Sequence, residues 1–371
     1  RRPMRGSEVR IPAPGGGHAK AWISAPLQGS GPGVVMRGDG GESLRALAER
    51  IGEDGYVVLL LEPGDLRIEA AIAFLHAQPN CKGRMAVLGF GAGALPSVHA
   101  AVQGIVDCAI AYCGPDPSGV IDAARGSKAP LVLHFAGVDS HAADFAAHSH
   151  IEAYAYPGAG PGFAVPGAGD YDKSPADMAY TRTLGLLRKV MGPIYELSAL
   201  WEAHRACEFI TRDADATMKT MVDEPYVNHV PTLTGGYGQK DLHRFYKHHF
   251  IPKNPKDSRS IPISRTVGVD RVVNEGVLCF THDTEIDWML PGVKPTGKYV
   301  EVALVGIITF RGGKLCHEHI YWDQASVLVQ VGLLDPKGLP VAGVESAKKV
   351  LDPSREANAL MPNWADSEDK P

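Results

Sequence analysis

The sequence predicts two domains: a doubly wound α/β layer domain, then an α+β domain built on a curved antiparallel sheet with helices. Three observations predict it. The chain has 371 residues, more than one hydrophobic core usually organises. Its first half alternates short all-apolar runs with helical stretches, as buried parallel strands between helices do. Its second half sets helical patterns first and long strand-like runs after them.

Composition agrees with this and narrows the partners. A hydrophobic fraction of 44% and a charged fraction of 21% are those of a globular protein with apolar residue enough for two cores. The formal net charge of −5 is spread without long runs, so no nucleic-acid partner is expected. No apolar run approaches the roughly 20 residues that cross a bilayer, and neither a membrane partner nor a secretory leader is expected. Six cysteines (Cys81, Cys108, Cys113, Cys207, Cys279, Cys316) lie in apolar contexts without a CxxC pair, the usage of reduced thiols in a cytoplasmic protein.

In the first half the expected strands are Gly33–Met36, Tyr56–Leu61, Met85–Gly89 and Leu131–Phe135, with helices over Ser43–Asp54 and Leu66–Ala77. Gly89-Phe90-Gly91-Ala92-Gly93 follows a strand and opens a helix, where a nucleophile elbow belongs. A phosphate loop is the weaker reading, because the spacing is GxGxGA and the expected acidic residue is missing. The glycines then simply keep the turn.

Leu88-Gly89-Phe90, the run from Pro130 to Asp139 and the run from Tyr156 to Phe163 together resemble the dienelactone hydrolase family of the α/β-hydrolase fold. The resemblance spans about residues 1–190. It implies a cysteine at the elbow centre, an aspartate after a later strand and a histidine in the Tyr156 segment. This chain has Gly91, Asp139 and Pro161 there, so the triad is degenerate: an orienting carboxylate with nothing to orient activates no nucleophile. His134, His141, His148 and His150 lie near Asp139 in sequence and read mainly as surface residues.

Turn formers over 164–175, a helix over 175–190 and a break at 191–194 close the first domain. Beyond it, apolar positions at three and four spacing predict one helix over Leu197–Met221, breaking near Asp213. A short element over Pro225–Pro231 and a helix over Gln239–Phe250 follow. Strands are expected over 264–269, 270–283, 299–310 and 314–323, the last two joined by a hairpin at Arg311-Gly312-Gly313. Asp335–Pro371 is a tail with one helical stretch, Val344–Leu351.

Tyr226-x-x-His229-x-Pro231, the run from Arg311 to Leu315 and the run from Glu318 to Gln324 resemble the SnoaL-like polyketide cyclase branch of the nuclear transport factor two-like superfamily. The resemblance covers residues 195–335, leaves 336–371 as a tail, and implies an α+β cone that pairs into a homodimer. It also implies a cofactor-independent cyclase, isomerase or lyase acting on a small carbonyl compound. Carried over, Asp323 is the catalytic proton shuttle, with His319 and His229 as donors to the developing oxyanion. Tyr226, His282, Asp287, Trp288, His317, Tyr321 and Trp322 are the expected substrate-binding residues. On a strand, His317, His319, Tyr321 and Asp323 share one face, and that face is expected to line the pocket.

Plainer readings stand beside these. Asp323 is well placed to cap the helix that starts the apolar run Val327–Leu334. His317 and His319 also fit an exposed strand face, and His282, Glu285 and Asp287 a solvated strand end. His317-x-His319 with Asp323 or Cys316 lacks an identifiable further ligand, so neither metal nor cofactor is expected. Two other functions remain: hydrolysis of an ester or lactone, and ligand or partner binding without catalysis.

Overall fold

The computed structural model describes residues 6–12, 16–27, 29–62, 67–368 and 370. Leu66, where one helical pattern begins, lies outside them. The chain divides into two compact units, Arg1–Tyr195 and Glu196–Pro371.

In the first unit the strands are β1 (Ser7–Pro12), β2 (His18–Ser24), β3 (Gly31–Arg37), β4 (Val57–Leu61), β5 (Cys81–Phe90), β6 (Cys108–Tyr112), β7 (Leu131–Ala136) and β8 (Ile151–Tyr156). They form one sheet in the order β1-β2-β4-β3-β5-β6-β7-β8. β3 to β8 run parallel, while β1 and β2 pair antiparallel at one edge. The helices are α1 (Gly41–Glu53), α2 (Ile68–His76), α3 (Ala94–Val102), α4 (Ser118–Ala124) and α5 (Lys173–Met191).

Side chains alternate between two cores, which explains the unbroken apolar runs. Val35, Leu59 and Val87 pack with α2, α3 and α4, whereas Val34, Val58 and Leu88 pack with α1 and α5. Asp54, buried at the end of α1, ties α5 down: Arg188 Nη2 lies 3.2 Å from its carboxylate, and Tyr180 donates its hydroxyl to it.

In the second unit the expected long helix is two, α6 (Leu197–Phe209) and α7 (Ala214–Lys219). Arg212 takes the left-handed φ of 54° between them, and the Asp213 carboxylate accepts from Ala216 N at 3.0 Å, capping α7. β9 (Met221–His229), β10 (Thr234–Tyr237) and α8 (Gly238–Phe245) follow. The helix then widens into a π turn over Tyr246–Phe250. β11 (Arg259–Val267), β12 (Arg271–Thr281), β13 (Tyr299–Arg311) and β14 (Lys314–Trp322) complete a six-stranded sheet, with α9 (Gln324–Val331) and α10 (Glu345–Leu351) after it.

The sheet order is β10-β9-β14-β13-β12-β11, all antiparallel except β14 against β9. The β13–β14 hairpin turns through Gly312 and Gly313 at φ 56° and 78°, the left-handed pair that a two-residue turn requires. Val277 and Cys279 meet Ala347 of α10 on one face. The opposite face carries cross-strand rows such as Asn274, Gly306, Ile320 and His229, or Ile308, Glu318 and Val227. Those rows floor the pocket described next.

Candidate functional site

At the elbow, β5 ends and Gly91 turns the chain with φ 53°. The flanking glycines are packing requirements: a Cβ on Gly89 would sit 2.0 Å from Gly93 O, and one on Gly93 would sit 2.3 Å from Arg37 O. A Cβ at Gly91 would meet no atom within 4 Å, so there is room for a nucleophile and none is present. Gly91 and Pro161 line one pocket of about 220 Å³ with Asp39, Phe90 and Tyr112. The two degenerate triad positions therefore meet in space.

Asp139 does not join them. Its side chain is largely exposed and accepts from His141 N at 2.8 Å. Of the nearby histidines, none lines the elbow pocket. His134 is no surface residue, for it is fully buried between Tyr156 OH (2.8 Å) and Thr183 Oγ1 (3.0 Å). Burial, helped by nearby Arg182, pushes its imidazole down to about 3.

The second unit holds a more enclosed pocket. Its floor is Val227 and His229 of β9, Asn274, Gly276 and Leu278 of β12, Leu304 and Gly306 of β13, and Glu318 and Ile320 of β14. Trp201, Arg205, Glu208 and Phe209 of α6 close it, with Tyr246 and Phe250 of the π turn and Trp288.

This arrangement corrects the face expected for β14. Glu318, Ile320 and Trp322 are buried, while His317 and His319 are half-buried on the opposite side and Tyr321 is exposed. Glu318 and Ile320 line the pocket, and none of the odd-numbered set does. The physical reason is period two combined with apolarity: Cys316, Ile320 and Trp322 gain more from burial than the polar set does. His317 instead bonds Thr309 Oγ1 at 3.0 Å, and Tyr226 packs edge-on to His319 at 5.5 Å on that outer face.

Asp323 is the N-cap of α9, accepting from Ala325 N at 3.0 Å, and is exposed. Neither it nor His319 lines the pocket. His282 is buried against Thr296 Oγ1 at 3.1 Å, and Asp287 pairs with His249 Nδ1 at 3.0 Å; neither lines the pocket. Trp322 supports the wall from behind, its ring centre 5.6 Å from that of Trp288.

His229 and Trp288 are the expected site residues that do line it. His229 cannot serve as first imagined. Its Nδ1 lies 3.2 Å from the Thr234 carbonyl oxygen, which only accepts, so in the neutral ring Nε2 is an acceptor too. Burial pushes this imidazole down to about 4 despite the pull of Glu318, so neutral is its state.

The strongest chemistry was not anticipated. His204 and Glu208, one turn apart on α6, meet Glu318 of β14: His204 Nε2 lies 3.1 Å from Glu208 Oε1 and 3.2 Å from Glu318 Oε1. All three are at least 96% buried, with exposures of 0%, 4% and 4%. Tyr246 OH sits 3.5 Å from the same nitrogen and 3.4 Å from Glu318 Oε1. Burial alone would push His204 down, but the two carboxylates hold it up at about 10. Burial in turn pushes the Glu208 carboxyl up, partly offset by His204. The sequence did carry a signal: Leu197, Trp201, His204 and Glu208 form a stripe at four-three-four spacing, so a histidine and a glutamate sit on a buried face.

Comparison with known proteins separates the reaction classes. Residues 62–191 match the dienelactone hydrolase family. Carboxymethylenebutenolidase of Pseudomonas sp. (strain P51) is 28% identical over 144 residues, 36% of this chain, and the chain spans 59% of that relative's length. Among solved structures, a protein from Klebsiella pneumoniae subsp. pneumoniae assigned as a dienelactone hydrolase overlaps 50% of this chain and 98% of its own, at 18% identity and a TM-score of 0.43. An esterase from Pyrococcus furiosus overlaps 51% and 92%, at 17% identity and a TM-score of 0.41. The cyclase, isomerase or lyase expectation is overturned: the matches are to hydrolases, and the aspartate that chemistry rested on caps a surface helix. Among the described residues, no helix is long and apolar enough to cross a membrane.

Proposed function

We propose that this protein hydrolyses a small ester or lactone, and that the hydrolytic water is activated in the pocket of the second unit. The family match supports the reaction class, and the relatives' name, carboxymethylenebutenolidase, points to a butenolide, which is a lactone. The elbow position itself, Gly91, has no side chain with which to form an acyl-enzyme. The observation that carries the choice of pocket is the buried His204–Glu208–Glu318 cluster beside an apolar cavity. Such a concentration of ionisable groups has a desolvation cost that simple packing does not repay.

In this reading a carboxylate of the cluster takes one proton from a held water as the water's oxygen adds to the carbonyl carbon, giving a tetrahedral oxyanion. Asn274 meets that oxyanion: Arg265 Nε donates to its Oδ1 at 2.8 Å, which turns its amide N–H donors the other way. Collapse breaks the acyl carbon–oxygen bond, and the water's proton passes to the leaving alkoxide. Trp201, Phe250 and Trp288 wall the acyl group. The elbow domain then serves as scaffold or substrate-holding unit. Helices packed on a six-stranded, mostly antiparallel sheet support a SnoaL-like cone for residues 195–335, and a homodimer acting on a small molecule completes the proposal.

The test uses the full chain with p-nitrophenyl acetate and a butenolide, following acid release. Turnover is expected, with kcat/KM falling at least about 100-fold in Glu318→Gln and Glu208→Gln while circular dichroism is unchanged. No release from either substrate, or undiminished rates in both variants, refutes the reading.

A further inference from the structure

We infer that His204, Glu208 and Glu318 form a binding site for one divalent transition cation. The inference rests on the hydrolase reading only for its use, not for its existence.

Hydrogen-bond direction carries the argument. Thr220 Oγ1 donates its hydrogen to Thr217 O at 2.6 Å, so toward His204 Nδ1, also 2.6 Å away, it acts as acceptor. Nδ1 therefore carries a hydrogen, and in the neutral ring Nε2 presents a bare lone pair. That lone pair faces two carboxylate oxygens, and the three donor atoms all lie within 4.8 Å of one another. Three electron-rich atoms then converge on one buried point, which demands positive charge there: a proton on Nε2 in the cation-free protein, or a cation in its place. A dication balances two carboxylates with a neutral imidazole, so the buried cluster itself carries no net charge.

The surroundings match what such ions use. One imidazole nitrogen and two carboxylate oxygens are a borderline donor set suited to zinc, cobalt, manganese or ferrous iron, and unsuited to copper(I) or calcium. Ligating histidines characteristically donate their other ring N–H to an oxygen that fixes the tautomer, as Thr220 does here. Glu208 and Glu318 also line the cavity, so a further coordination position faces the space where water and substrate enter. Three protein ligands with an accessible position are the pattern of catalytic rather than structural ions. The chemistry such an ion supplies is a water acidified enough to attack a carbonyl near neutral pH. Trp201 stacks on the imidazole at 5.7 Å and 17°, holding the ring plane from the other side.

The experiment treats the full chain with chelator, removes the chelator, and titrates cobalt(II) chloride while recording visible absorption and heat. One equivalent is expected to bind with a dissociation constant in the micromolar range or below. Glu208→Gln and Glu318→Gln are expected to weaken binding at least 100-fold, and Thr220→Val about tenfold, as removal of a ligand-orienting partner does. Melting temperatures of the chelated variants report folding separately, and His204→Gln gives an independent third ligand deletion. Cobalt binding of equal strength and stoichiometry in the wild type and all three ligand variants overturns the inference, because the bound ion then sits elsewhere; so does absence of binding. In that case the charge at the cluster is a proton on His204. Hydrolysis is followed in the same samples. Binding at the cluster without ester or lactone cleavage refutes the hydrolase reading and leaves the cation, whereas cleavage indifferent to chelation and to cobalt refutes only the use of the cation in hydrolysis and leaves its existence to the titration.

Discussion

His134 makes the first unit acid-labile, by an amount the structure sets. The ring is fully buried on β7, with Tyr112 of β6, Tyr154 and Tyr156 of β8, and Arg182 and Thr183 of α5 around it. Burial first, and Arg182 second, push its pKa from 6.5 to about 3. Because the folded value lies below the unfolded one, the unfolded chain binds the proton first. Stability is fully present above pH 6.5 and is lost as pH falls toward the folded value. Between pH 7 and pH 5 this one group removes about 2 kcal/mol, at roughly 1.4 kcal/mol per pH unit below 6.5. A two-unit chain has no single unfolding free energy, so the assay must be local. Hydrogen exchange by mass spectrometry on peptides covering β7, in wild type and His134→Gln at matched pH, isolates the effect. The ratio of wild-type to variant protection is expected to fall about 30-fold from pH 7 to pH 5. A ratio that stays constant across that range refutes the assignment of a neutral, burial-suppressed imidazole.

Other outcomes follow from single features. Asp323→Ala is expected to lower the stability of the second unit by about 1 kcal/mol while Asp323→Asn is near neutral, the signature of an N-cap; chemical denaturation followed by tryptophan fluorescence reads it. Arg188→Met removes the guanidinium beside Asp54, which is 2% exposed, and is expected to cost about 3–5 kcal/mol, seen as a lower urea midpoint for the first unit. Leu59→Ala, at 0% exposure in the central sheet, is expected to cost about 2–5 kcal/mol by the same measurement. Gly313→Ala meets a φ of 78° and is expected to cost about 1–2 kcal/mol through backbone strain alone.

The strands of the first unit were legible because burial on both faces leaves no polar residue to interrupt them, as Val57–Leu61 illustrates. The elbow was legible through its glycines, of which the packing demands Gly89 and Gly93 and the positive φ favours Gly91. In the second unit, counting chemical groups along β14 favoured the histidines and Asp323, whereas counting apolar neighbours favours Glu318 with Cys316, Ile320 and Trp322. Burial decides a strand's inner face, and a carboxylate can ride inside with it when a partner waits there. That partner was hidden in α6, whose buried stripe runs through Leu197, Trp201, His204 and Glu208 and so carries two polar residues where apolar spacing alone directs no attention. No local pattern joins Glu208 to Glu318; they meet only in the fold, through His204.

The pairing of β14 with β9 has a consequence for how the pocket comes into being. β14 joins β9 side by side, with Glu318 opposite Val227, about 90 residues back along the chain. The other neighbours in this sheet are successive in sequence and can zip together as hairpins. The β9–β14 contact alone must close a long loop, and its entropic cost comes due before any reward. On a ribosome, β9 with its attached helices waits with an uncovered edge until β14 has emerged. The carboxylate that completes the cluster is carried by the strand that covers that edge, so the chemistry is assembled in the same event that closes the open edge of β9.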